Sequence, residues 1–119
     1  MIVLGGSSRQ SLAALRVALD NTLKGVSAGD ASAISSDLFK ALVAIDSSTG
    51  LRRALTDSSR DSSSKSDLIS DLFKKSLGGP ALALLANATA LRWSAPSGIA
   101  DAIEQIAVEA EATAANLSN

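Results

Sequence analysis

Leu12, Leu15, Leu19 and Leu23 recur at three- and four-residue intervals, and the same spacing returns wherever the chain is apolar. Residues three and four apart share one face of an α-helix, whereas a half-buried strand needs strict alternation. A second stripe is Ile34, Leu38, Leu42 and Ile45. A third is Leu68, Ile69, Leu72, Phe73 and Leu77, and another is Ile99, Ile103, Ile106 and Ala110. The expected fold class is therefore all-α, a compact six-helix bundle with no sheet. Leu15, Leu19, Leu38, Leu42, Phe73, Leu84 and Ile103 are expected in its core.

Punctuation between the stripes sets the boundaries. Ser7 or Ser8 is expected to cap a first helix that runs to about Lys24, with Gly25 just past its end. Asp30 is expected to cap the second. Residues 47–50 interrupt the pattern, and a short helix at 51–55 leads into the Ser-rich stretch 56–64, a solvated connection by composition. Ser64 is expected to cap the next helix, with Asp67 in a capping-box-like position. Lys74 and Lys75 suit that helix's C-terminal dipole. Gly78-Gly79 ends it, and Pro80 falls in the first turn of the next helix, where a missing N–H costs nothing. That helix is expected to end at Leu91-Arg92-Trp93, and the last to span about 99–115. Residues 1–7 are expected to be a flexible N-terminal segment or a cloning remnant, unless Ile2, Val3 and Leu4 pack onto the domain. Residues 8–117 form the helical domain.

Composition removes several function classes. The chain has no cysteine, histidine or tyrosine, so it has no thiolate and lacks the commonest general base and metal ligand. No catalytic, cofactor-binding or metal site is expected. Asp67 and Asp71 stand four apart on a helix without a third ligand or a base. Gly78-Gly79-Pro80 precedes a helix but lacks the spacing of a phosphate loop. A formal net charge of −1 gives no field for nucleic acid. No apolar run is long enough for membrane insertion.

Two helices carry more apolar surface than their own stripe requires. On the first, Ser11, Ala14, Val17 and Ala18 form a second, small and uncharged face. Residues 81–91 read ALALLANATAL without a charge. There Leu84, Leu85 and Leu91 can serve the core, while Ala83, Ala86 and Ala90 fall on a separate face. A helix apolar all round is either central or covered by a partner on one side. Small residues let another helix approach closely, as in a groove for an amphipathic helix.

Four motifs occur in order: LTD at 55–57, Lys65 opening a helix that reaches Leu72-Phe73, Arg92-Trp93-Ser94 after an apolar helix, and Asp101-Ala102-Ile103-Glu104. As a set they resemble the N-terminal domain of the delta subunit of F-type ATP synthase, the oligomycin-sensitivity-conferring protein in mitochondria. The resemblance covers roughly Ser8 to Leu117. It implies a six-helix bundle that sits on the catalytic head as part of a stator and grips the N-terminal helices of the alpha subunits. The implied groove lies between the first and fifth helices, the two with spare small-residue faces. Delta subunits continue into a C-terminal domain that engages subunit b of the peripheral stalk, so the chain is expected to be one domain of a longer protein. The implied location is peripheral to the membrane on the cytoplasmic side. The alternative is another helical adaptor that captures an amphipathic helix.

Single residues have plainer readings. Trp93 is expected to close the edge of the core rather than anchor a partner. Arg92 is expected to bond carbonyls at a helix end, and Asp101, Glu104, Glu109 and Glu111 to form a solvated face.

Overall fold

In the computed structural model, which describes residues 6–118, the apolar stripes become six helices with no strand among those residues. They are α1 (Gly6–Leu23), α2 (Ala28–Asp46), α3 (Thr49–Thr56), α4 (Ser62–Phe73), α5 (Gly79–Ala90) and α6 (Ser97–Leu117). The expectation for Ile2, Val3 and Leu4 lies outside the described residues.

The axis of the bundle is α6. Gly98, Ile99, Ala100, Ala102, Ile103, Ile106, Ala107 and Ala110 are all buried on it, and it packs against α1, α2, α3 and α5. Its largest interface is with α2. Alanines at 31, 41, 102, 107 and 110 have no exposed surface, so the backbones approach closely, and the Ser35 hydroxyl donates to the Ala107 carbonyl at 3.0 Å. The two helices are antiparallel. Asp46 at the end of α2 lies near Asp101, while Ala28 and Gly29 share a cleft with Ala114 and Ala115. The contacts of α1 with α6 run in chain order: Ser8 meets Gly98, and Arg16 reaches Gln105 and Glu109. These two helices are parallel. A β-carbon at Gly98 would stand 3.0 Å from the Ser8 hydroxyl, so glycine is what permits this approach.

Of the expected core, Leu15, Leu19, Leu38, Phe73, Leu84 and Ile103 are buried. Leu42 is only half-buried against it, and Leu72 is 48% exposed. A helix turns about 100° per residue, so Phe73 entering the core carries its neighbour Leu72 away from it.

Helix ends depart from the expected positions. The first helix starts at Gly6, so Ser7 and Ser8 lie inside its first turn. Gly25 follows the end of α1 with φ +71°, a left-handed turn that glycine adopts without strain. Ser27, not Asp30, caps α2: its hydroxyl accepts the Asp30 N–H at 3.1 Å. Asp30 instead places a negative charge in the first turn. Asp61, not Ser64, caps α4, accepting the Ser64 N–H at 2.8 Å. The Ser-rich connection is thereby shortened to residues 57–61, where Asp57 accepts the N–H and hydroxyl of Ser59 at 2.9 and 2.7 Å. The fifth helix stops at Ala90 rather than Trp93, because Leu91 is extended. The Trp93 indole turns back and donates to the Ala88 carbonyl at 2.9 Å, so Trp93 does close the core edge.

Candidate partner-helix surface

The seam between α1 and α5 is fixed by hydroxyls. The Ser94 N–H donates to the Ser8 Oγ at 2.7 Å, the Ser8 N–H points at the Ser94 Oγ at 3.4 Å, and the hydroxyls of Ser7 and Ser94 are 2.8 Å apart. One turn further along α1, the Ser11 hydroxyl donates to the Arg92 carbonyl. These bonds hold the start of α1 against the segment leaving α5, and the two helices are in contact.

Ser11 is consequently 6% exposed and is not part of an open face, which corrects its place in the spare surface. Its polarity is used inward, on a carbonyl freed where α5 ends. The other positions differ. Ala14 and Val17 on α1 are exposed and Ala18 is half-buried; on α5, Ala83 and Ala90 are exposed and Ala86 is half-buried. Val17 keeps 60% of its surface in solvent. The buried side of α5 is Ala81, Leu84, Leu85, Ala88 and Thr89. The uncharged helix is therefore covered on one side only, and the central role belongs to α6.

The charged residues are arranged differently from a uniform solvated face. Arg16 donates from Nε to Glu109 Oε1 at 2.7 Å, and its Nη2, 2.6 Å from the same oxygen, also donates to Gln105 Oε1 at 3.4 Å, an exposed bridge of modest worth. Glu104 and Glu111 are exposed as expected. Burial raises the Asp101 carboxyl above the ordinary carboxylate range, helped by repulsion from Glu104 and Asp46. The Arg92 side chain is exposed, and its carbonyl rather than its guanidinium takes part in the helix end. Sequence reasoning singled out Lys65 as a motif residue but not its burial. Its side chain is buried, and its ammonium donates to the Thr89 carbonyl at 3.4 Å, near the C-terminal end of α5, a position that favours a cation. Its place beside an opposing helix end was the missing information. No helix among the described residues is long and apolar enough to cross a membrane.

Comparison with known proteins adds a consistent likeness. The chain is 40% identical over 110 residues to the ATP synthase subunit delta of a Nocardioides species, a match that covers 90% of this chain and 38% of that protein. It is 37% identical over 113 residues to the ATP synthase subunit delta of Kineococcus radiotolerans, covering 95% and 41%. For the subunit delta of Streptomyces avermitilis the identity is 34% over 110 residues, covering 92% and 40%. This chain belongs to the ATP synthase delta-subunit family. No family model matches it. The chain spans about two fifths of the length of these delta subunits, so the matched region is this helical domain. Within the delta-family chain, Leu55-Thr56-Asp57, Lys65 and Arg92-Trp93 come together: Thr56, Lys65, Arg92 and Trp93 border one cavity at the end of α5.

Proposed function

We propose that this domain is a structural component of ATP synthase, the part of the stator that holds the catalytic head by gripping the N-terminal helices of the alpha subunits. The observation that carries the reading is the adjacency of α1 and α5, each of which keeps small uncharged side chains at least partly exposed. Ala14, Val17 and Ala18 on one wall and Ala83, Ala86 and Ala90 on the other suit the apolar stripe of an amphipathic helix. Ser11 lies beneath, where it holds the walls together. The names of the relatives support the assembly. Subunit b would be engaged by a further domain. The work is mechanical: a stator resists torque, which calls for persistent helix-in-groove packing and no bond-making chemistry.

Titration with a peptide from the alpha-subunit N-terminus, against unrelated amphipathic helices, tests this. The domain is expected to select the first. Ala14→Asp and Ala86→Asp should each weaken binding at least about tenfold, or roughly 1.4 kcal/mol, because each buries an unpaired carboxylate under the partner. Circular dichroism should show both variants folded. Binding unchanged in both would place the partner on another surface.

A further inference from the structure

A cavity of about 500 Å³ opens where the C-terminal end of α5 meets the start of α4, and its wall carries three cations, Arg60, Lys65 and Arg92. Only one carboxylate, Asp61, lines it. That carboxylate is already engaged by the Ser64 N–H and the Ser63 hydroxyl. Asp57, in the adjoining loop, is likewise turned onto Ser59. None of the three cations belongs to a salt bridge among the described residues; those present use Arg16, Lys40 and Arg52. Lys65 is 94% buried by its 6% exposure, yet its three N–H donors find a single carbonyl at 3.4 Å. Hydroxyls of Ser7, Ser58 and Ser62 add neutral donors to the same wall.

A buried ammonium with spare donors, two flexible guanidiniums and several hydroxyls suit an oxyanion with more than one charge and several acceptor oxygens. We propose that this cavity is a binding site for a phosphate-class oxyanion, taken either as free phosphate or as the phosphoryl end of a larger molecule. A phosphoryl group carries about −1.5 to −2 at neutral pH, which matches the excess of three cations over one carboxylate; a single carboxylate ligand would leave part of that excess unmatched. The cavity adjoins the α1–α5 seam, to which Ser7 and Arg92 also belong, and of the proposed groove residues it shares only Ala90.

Nuclear magnetic resonance titration of the whole chain with inorganic phosphate, at ionic strength held constant with chloride, tests the assignment. Saturable shifts are expected at the amides of residues 58–62 and at the Trp93 indole, with a dissociation constant on the order of 1 mM for a solvent-open site. Arg60→Gln and Arg92→Gln, both of exposed residues, should each raise that constant at least about fivefold without changing the rest of the spectrum. Lys65→Met should do the same provided its spectrum remains folded. A parallel titration with adenosine monophosphate separates the sources: tighter binding than phosphate points to the phosphoryl end of a larger molecule, and equal binding to the free ion. The proposal is overturned by shifts that grow linearly or scatter over all cationic surfaces. It is also overturned by acetate binding as tightly as phosphate, or by Arg60→Gln and Arg92→Gln that bind as the parent does.

Discussion

Asp101 shows how one side chain couples this fold to pH. Burial holds its proton more tightly in the folded chain than in the unfolded one, and Glu104 and Asp46 add to the effect. A group with a raised folded pKa lowers stability as pH climbs from the ordinary value of 3.8 through the folded one, and the loss persists at neutral pH. Asp101→Asn is therefore expected to raise Tm at pH 7 and to leave it almost unchanged near pH 3. Thermal melts at the two pH values check this, and an equal shift at both would contradict it. Asp57 and Asp61 act in the opposite sense. Hydrogen bonds from the Ser59 side chain and from the Ser64 backbone hold them below the usual range. Their contribution is present above the ordinary carboxylate pKa and fades as acid passes through the lowered one. At this scale the sequence was least legible. Ser11 reads as one more small residue on a weakly polar face, and Lys65 only as the Lys that opens a helix, because the partner of each is a carbonyl at the end of α5.

The elements were far easier to read than their ends. The three- and four-residue spacing of Leu, Ile and Ala places all six helices, and Gly25 and Pro80 mark boundaries where backbone geometry leaves few choices, whereas α4 stops at Phe73 and not at Gly78, which instead precedes α5. Caps are harder, since Ser27 and Asp30, or Asp61 and Ser64, are chemically equivalent candidates three residues apart. The choice depends on which turn carries the first buried residue. Ser27→Ala is expected to cost about 1 kcal/mol, while Asp30→Ala should cost less, because it loses a dipole contact and leaves the cap in place. Urea unfolding of the two variants decides the order. The end of α5 was misread for a related reason: Ala86, Ala90 and Trp93 keep helical spacing, and only the extended Leu91 breaks the run. The open faces of α1 and α5 were legible as surplus apolar surface. Whether α5 or α6 is central was not, since both are rich in Ala and Leu or Ile.

At the scale of the molecule, stability is concentrated where α2 lies along α6. Leu38 has no exposed surface there, nor do Ala41, Ile45, Ile106 and Ala107. Leu38→Ala is expected to destabilise the domain by about 2–5 kcal/mol, measured by denaturant titration. A truncation at half-buried Leu42 should cost less. A cost for Leu38→Ala as small as that of a surface change would mean that the interface can collapse around the gap. The helix that completes this core is the sixth, and α1 is the first. During synthesis α1 ends at Leu23 and its partners near Ser94 and Gly98 come much later. At roughly 5–20 residues per second, α1 waits on the order of several seconds with its leucines uncovered. The nascent chain can close α4 onto α5 locally, but α1, α2 and α3 keep the faces that α6 covers exposed until α6 has been synthesised.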